Sequence, residues 1–304
     1  MTSSHLSGRV VIVTGAGRGI GRESALLMAA EGASVVVNDM GTALDGDGAD
    51  ASVAQSVVDE IAAHGGKAIA SSADISKTDS GAQLVAAALD AFGRLDAIVN
   101  NAGIMRGAPF CEMDADTWDL VLRVNLSGAF HLSRAAAPYF VQQRSGAFVH
   151  LTSTAALIGS MNQANYAASK NGVAALSRSL AIELEAHGVR SNCVSPLAFS
   201  RMTTGATGRS EEDPVVVKQR EAEGAAAVAP LVAYLASDAS RDINGQIIGV
   251  RGKEVHLYSQ PRPVRTLHES DGWTVDKMVQ KLAPSWRSSL TPVERTRDVF
   301  TWDV

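Results

Sequence analysis

A doubly wound α/β domain on a mainly parallel sheet is the fold class this sequence predicts. Three observations lead there. Short β-branched runs alternate with Ala-rich stretches of helical period, several runs are apolar throughout, and the first run leads straight into a glycine-rich turn. A strand buried on both faces reads as a continuous apolar run. Strand–helix alternation closes into a parallel sheet through right-handed crossovers.

Seven strands are expected, at 10–14, 34–38, 67–70, 97–100, 147–152, 190–194 and 246–250. Helices fit between them, at 21–30, 53–64, 81–92, 116–140, 166–187 and 228–236. Two regions break the rhythm. Residues 41–50 form a Gly/Asp-rich loop after the second strand, and beyond Gly252 the alternation stops. The chain therefore divides into a domain of residues 1–252 and an extension of residues 253–304. The extension holds Trp273, Trp286 and Trp302. Tryptophan is costly to leave in water, so the extension is expected to pack on the domain or on a neighbouring subunit.

At 304 residues, 46% hydrophobic and 19% charged, the chain has a globular profile. A net charge of −5, without a dense basic block, argues against binding nucleic acid or an anionic membrane. Cys111 and Cys193 lack metal-ligand spacing and read as reduced, buried thiols. No metal is expected. The N-terminus has no basic-then-apolar signal pattern, and no apolar stretch reaches the ~18–20 residues that span a bilayer. A cytoplasmic location is expected.

The first strand runs into Thr14-Gly15-Ala16-Gly17-Arg18-Gly19-Ile20-Gly21. Glycines permit a tight turn and close backbone approach, and the helix behind them offers unpaired N–H groups to a pyrophosphate. The spacing through Gly15, Gly19 and Gly21 is Gly-x-x-x-Gly-x-Gly, with Ile20 where the commoner pattern has its last glycine. Asp39 ends the second strand, placed to accept the hydroxyls of an adenosine ribose and to repel a 2′-phosphate. Arg18 pulls the other way, since a cation in the turn can pair with that phosphate. Asp39 weighs more, and NAD is the expected cofactor. Asp74, after the third strand, either accepts from the adenine amino group or caps the next helix.

Tyr166 and Lys170 lie one turn apart on the same face of a helix. An ammonium near a phenol favours the phenolate, which makes Tyr166 a candidate general acid/base. Taken alone, the pair, Ser153 and Asn125 each have a bland reading: a solvated lysine, a strand-end hydroxyl on backbone, a helix-kink amide.

With Thr14–Gly21, Asn100-Asn101-Ala102-Gly103, Asn125, Ser153, Tyr166 and Lys170 in this order, the chain resembles the short-chain dehydrogenase/reductase family over roughly residues 6–250. Within the family it looks most like the hydroxyacyl-CoA dehydrogenase domain of multifunctional enzyme type 2 and its bacterial relatives. Val37-Asn38-Asp39-Met40-Gly41, the Gly/Asp-rich loop, Val58-x-Glu60-Ile61, Gly65-Gly66-Lys67-Ala68, Gln163-Ala164-Asn165-Tyr166 and Ser200-Arg201-Met202-Thr203 carry that likeness.

The resemblance implies a single doubly wound (Rossmann) domain and a homodimer or homotetramer. Asn101, Ala102 and Gly103 would line the adenosine side, with Asp74 and Ile75 after the third strand. Pro196 and Thr203 would lie near the nicotinamide. Ser153 would hydrogen-bond a substrate oxygen and Tyr166 would exchange its proton. Lys170 would bind the ribose and lower the tyrosine's pKa, and Asn125 would hold a water linking Lys170 to solvent.

The implied activity is NAD-dependent oxidation of a secondary alcohol, reversibly, on a small hydroxy or keto substrate, with a 3-hydroxyacyl-CoA thioester of fatty or steroid-derived acyl group leading. A free hydroxysteroid or polyol dehydrogenase is the alternative. A catalytically silent NAD-binding scaffold is disfavoured by the intact Ser153/Tyr166/Lys170 set. Two departures stand out: Leu197 follows Pro196 where the family has glycine, and Arg201 occupies the usual threonine position. The polar segment 198–223 is expected to be a substrate lid.

Overall fold

Val10–Thr14 form strand β1, and all five side chains are buried. Side chains alternate across a strand. Val10 and Ile12 enter one core with Leu84, Leu132 and Phe140, while Val11 and Val13 enter the other with Met28, Val57 and Leu235. Helices cover both faces of the sheet, which is why the run shows no polar alternation. This computed structural model describes residues 4–43, 45–198 and 224–301.

The remaining strands are β2 (Ser34–Asn38), β3 (Lys67–Ser71), β4 (Ala97–Asn100), β5 (Gly146–Leu151), β6 (Val189–Pro196), β7 (Ile247–Arg251) and β8 (Glu254–Leu257). They form one sheet in the order β3-β2-β1-β4-β5-β6-β7-β8. Every pair is parallel except β7 and β8. Between them run α1 (Gly19–Ala30), α2 (Ser52–Ala63), α3 (Ser80–Phe92), α4 (Ala115–Leu122), α5 (Gly128–Gln143), α6 (Thr154–Leu157), α7 (Ala164–Leu184) and α8 (Ala229–Ala236). The extension adds α9 (Val275–Trp286) and α10 (Thr296–Val299). No helix among the described residues is long and apolar enough to cross a membrane.

The sheet has eight strands rather than the expected seven. The eighth comes from the extension, where Gly252 at φ 52° starts a two-residue turn between paired Arg251 and Glu254. Such turns fold a chain back as a hairpin. The single helix expected over 116–140 is interrupted: α4 and α5 are joined by a π-turn, Arg123–Ser127, that contains Asn125. Cys193 is buried as expected, but Cys111 is exposed, because it lies in a short turn ahead of α4 rather than in a core-facing element. Trp273 and Trp286 are half-buried. Thr203, Arg201, Trp302 and residues 199–223 of the expected lid lie outside the described residues.

The chain leaves β1 toward β2 and β3 on one side, and from β4 onward builds the other side. β1 and β4 are neighbours, so the connections leaving their C-terminal ends part in opposite directions and open a crevice. Ligands of open α/β sheets bind at such switch points. The glycine turn after β1 and Asn101-Ala102-Gly103 after β4 both sit there.

Candidate active site

Two adjoining clefts occupy the crevice. The larger, about 710 Å³, is lined by Gly15, Arg18, Gly19, Ile20, Asp39, Asp74, Ile75, Asn101, Ala102 and Gly103 among others. The smaller, about 310 Å³, is lined by Ser153, Tyr166, Lys170, Pro196 and Leu197, and shares Ile20, Asn101 and Gly103 with the first. Apart from Asn125, which lies just behind the wall, and Gly21, which packs under the glycine turn against the Gly15 carbonyl, every expected site residue that is described faces one cleft or the other.

The glycine turn is shaped by what a side chain would strike. A Cβ on Gly15, at φ 61°, would stand 2.7 Å from the Ala102 Cα, and one on Gly21 would stand 2.1 Å from the Gly15 carbonyl oxygen. Asn101 ties the two lips together, its Nδ2 donating to the carbonyls of Thr14 and Gly15, each at 2.9 Å. Arg18 is the N-cap of α1 and its side chain does not cap the helix. The first-turn N–H groups therefore have no side-chain acceptor, and the open N-terminus is a ready anion site.

Asp39 is fixed by two backbone donors, Gly17 N–H at 2.8 Å and Gly41 N–H at 2.7 Å. A carboxylate offers about four lone-pair sites, so two remain for ligand hydroxyls. The Arg18 guanidinium donates to the Thr42 carbonyl at 3.1 Å. Asp74 accepts from Ser76 N–H at 2.9 Å and does not cap α3, whose N-cap is Asp79. Of the two readings of Asp74, the helix cap falls away.

In the smaller cleft, Ser153 caps α6 by accepting from Ala155 N–H at 3.2 Å, and its hydroxyl shares the cleft with the Tyr166 phenol, whose pKa it acts to lower. Lys170 is buried; its Nζ donates to the Leu151 carbonyl at 2.8 Å and lies 6.0 Å from the centroid of the Tyr166 ring. Burial brings the Lys170 ammonium down to about 8. Burial also raises the Tyr166 phenol above its ordinary value, outweighing the nearby Ser153 hydroxyl that acts to lower it. The expected lowering of the tyrosine by Lys170 alone is therefore not what the geometry gives, because the ammonium stands 6.0 Å from the ring centroid and burial of the phenol dominates.

Asn125 braces the site from behind. Its Oδ1 accepts from Ile104 N–H at 2.8 Å, and its Nδ2 donates to the Ile104 carbonyl at 3.0 Å and to Ser169 Oγ at 3.1 Å. The segment after β4 is thus locked to the helix that carries Tyr166 and Lys170. Asn165 adds a second tie, donating to the Arg106 carbonyl at 2.9 Å while accepting from Tyr166 N–H at 2.7 Å.

Thr296 of α10 also lines the smaller cleft, a residue that no motif or spacing marks. Its N–H and Oγ1 both donate to the Gly159 carbonyl, at 3.0 and 3.2 Å. Polar Thr296 in a solvated tail carries no periodic signal; only the tertiary return of the tail places it.

A glycine cradle at an open helix N-terminus, an acid at the end of β2, and a half-buried tyrosine beside a buried lysine and a serine in one cleft define an oxidoreductase. It acts on CH–OH groups with a nicotinamide nucleotide cofactor. A model of the short chain dehydrogenase family matches residues 9–213, and the chain belongs to that family. It is 41% identical over 280 residues to a short-chain type dehydrogenase/reductase of Mycobacterium tuberculosis, covering 91% of this chain and 92% of that one. It is 40% identical over 286 residues to the hydroxyacyl-CoA dehydrogenase ChsB1 of the same organism, covering 90% and 86%. Against the peroxisomal multifunctional enzyme type 2 of Drosophila melanogaster it is 39% identical over 279 residues, covering 88% of this chain but 45% of that longer protein. The crystal structure of a short chain dehydrogenase from Mycobacterium avium superposes with a TM-score of 0.82 at 35% identity, covering 96% of this chain and 98% of that one.

Proposed function

We propose that the protein is an NAD-dependent dehydrogenase of secondary alcohols whose substrate is a 3-hydroxyacyl-CoA with a fatty or steroid-derived acyl group. The observation that carries the reaction is the Ser153–Tyr166–Lys170 cluster facing one cleft beside the glycine cradle. The glycine turn, the open N-terminus of α1 and Asp39 would hold the dinucleotide, which supplies hydride-accepting chemistry when bound. Arg18 is already engaged with the Thr42 carbonyl, and Asp39 opposes a 2′-phosphate; both favour NAD over NADP.

In the oxidation direction, Ser153 Oγ and Tyr166 Oη both hydrogen-bond the substrate hydroxyl. Tyr166 accepts the hydroxyl proton as the C–H hydride departs, and in reduction it returns that proton to the carbonyl oxygen. Lys170 holds a positive charge behind the phenol and orients the ribose. The water-holding role of Asn125 falls to its main-chain carbonyl, since both side-chain termini brace Ile104 and Ser169. Hydroxyacyl-CoA chemistry is supported by the likeness to ChsB1 and to multifunctional enzyme type 2. A homodimer or homotetramer belongs to the same reading.

The test is a spectrophotometric panel of 3-hydroxyacyl-CoAs and their free alcohols with NAD and NADP, for wild type and Tyr166→Phe. Turnover on the thioesters with NAD, lost by about 10²–10⁴-fold in Tyr166→Phe with NADH binding retained, is expected. Faster turnover of the free alcohols would move the assignment to a hydroxysteroid or polyol dehydrogenase. Retained activity in Tyr166→Phe would overturn the mechanism.

A further inference from the structure

The Gly/Asp-rich loop after β2 forms the outer wall of the larger cleft, where Thr42, Ala43 and Gly46 line it beside Asp39. Internal bonds give the loop its shape: Ala43 N–H to the Asp47 carbonyl at 2.8 Å, and Asp50 N–H to the Met40 carbonyl at 2.8 Å. Its ties across the cleft come from elsewhere. Arg106 donates through Nε to the Asp45 carbonyl at 2.6 Å and through Nη2 to the Asp47 carboxylate at 2.7 Å. Gly46 seats against Ile104, where an added Cβ would stand 3.3 Å from Cδ1.

The anchor is braced from behind, whereas the loop is rich in glycine. Ile104 is held at both its N–H and its carbonyl by Asn125, and the Arg106 carbonyl by Asn165. The loop has Gly41, Gly46 and Gly48 at positive φ, so its backbone has much freedom to lose when fixed. It also places Asp45, Asp47 and Asp50 near a site that takes a dianionic pyrophosphate. A cation that both neutralises and ties the loop removes an ordering cost that a ligand would otherwise meet on binding.

We propose that Arg106 is the positioning residue for the adenosine half of the dinucleotide: it straps the loop formed by residues 41–43 and 45–50 onto the segment after β4 and so preforms the adenosine wall. The proposal rests on the reading of the larger cleft as a nicotinamide dinucleotide site. Arg106 acts through the loop and does not itself line that cleft.

Binding to the full-length protein tests it without turnover. NADH and NADPH are titrated by fluorescence into wild type, Arg106→Ala, Arg106→Lys and Asp47→Asn, with ADP-ribose and reduced nicotinamide mononucleotide as half-ligand competitors. For Arg106→Ala, Kd for the dinucleotide and for ADP-ribose rises about tenfold, equivalent to about 1.4 kcal/mol. Affinity for the mononucleotide stays within about twofold, a split that general loosening of the fold would not produce. Arg106→Lys keeps the charge without the fork and recovers part of the loss. Asp47→Asn, on an exposed side chain, loses about threefold and carries the test if Arg106→Ala fails to fold. Unchanged ADP-ribose affinity in the folded variants overturns the strap, as does an equal loss for both half-ligands. A wild-type protein that binds neither dinucleotide overturns the cofactor reading itself.

Discussion

Replacing His150 by asparagine tests the buried floor of the active site. His150 lies on β5, fully buried and three residues before Ser153. Its Nδ1 faces Asn100 Nδ2 at 3.2 Å, and that amide also donates to Ser133 Oγ. A donor facing Nδ1 requires its lone pair, so the imidazole is neutral. Burial first, and the nearby Lys170 charge second, bring its pKa from 6.5 to about 3. The sign follows from linkage. The unfolded chain binds a proton at His150 below pH 6.5 and the folded chain does not until about pH 3, so the stability this group contributes is full above 6.5 and falls as pH drops toward 3. Between pH 7 and pH 5 the loss from His150 alone is about 2 kcal/mol. Urea unfolding of wild type and His150→Asn at pH 7, 6 and 5, at one protein concentration, measures it. The variant starts less stable, because it loses buried volume against Phe148, but it should lose about 2 kcal/mol less than wild type over that range. Parallel pH dependences in the two proteins would refute the buried, neutral imidazole.

Three further outcomes are expected. Gly21→Ala places a Cβ 2.1 Å from the Gly15 carbonyl oxygen; it should weaken dinucleotide affinity by at least about tenfold, measured by NADH fluorescence, and an unchanged Kd would show that the turn does not shape the site. Asp39→Ala should narrow the ratio of NAD to NADP in kcat/KM by about tenfold or more, and a ratio unmoved would remove Asp39 from ribose recognition. A chain ending at Leu290 lacks Thr296 and its bonds to Gly159; substrate KM should rise while NADH Kd holds, and unchanged substrate kinetics would exclude the tail from the substrate cleft.

Much of this was legible in the sequence because it is local. β1 and the turn behind it are contiguous residues whose burial and φ requirements are written into residue type. Tyr166 and Lys170 needed only the helical period. What escaped notice depends on distance or on the count of a single residue. The π-turn at Asn125 adds one residue to a helical ladder and leaves the hydropathy pattern intact, so two helices read as one. Thr296 meets Gly159 across 137 positions, and Arg106 meets Asp47 across 59. Neither pairing leaves a period or a motif. β8 was hidden because a four-residue edge strand, half-exposed, looks like any polar loop that follows a glycine.

The titration of the central pair changes the reading of how the tyrosine is activated. Burial acts in opposite directions on the two groups, since it disfavours the charged form of each: the phenol is raised and the ammonium brought down to about 8. With Lys170 Nζ 6.0 Å from the ring centroid and bonded to the Leu151 carbonyl, one ammonium does not offset the desolvation of the phenolate. A second positive charge close to Tyr166 is required before the residue can act as a base near neutral pH. In the proposed reaction an oxidised nicotinamide held beside Tyr166 would supply that charge, whereas the reduced ring is neutral. The same tyrosine would then be driven toward phenolate when an alcohol is to be oxidised and would stay a protonated acid when a ketone is to be reduced, so the protonation state of the side chain would follow the direction of the reaction without any further group in the protein.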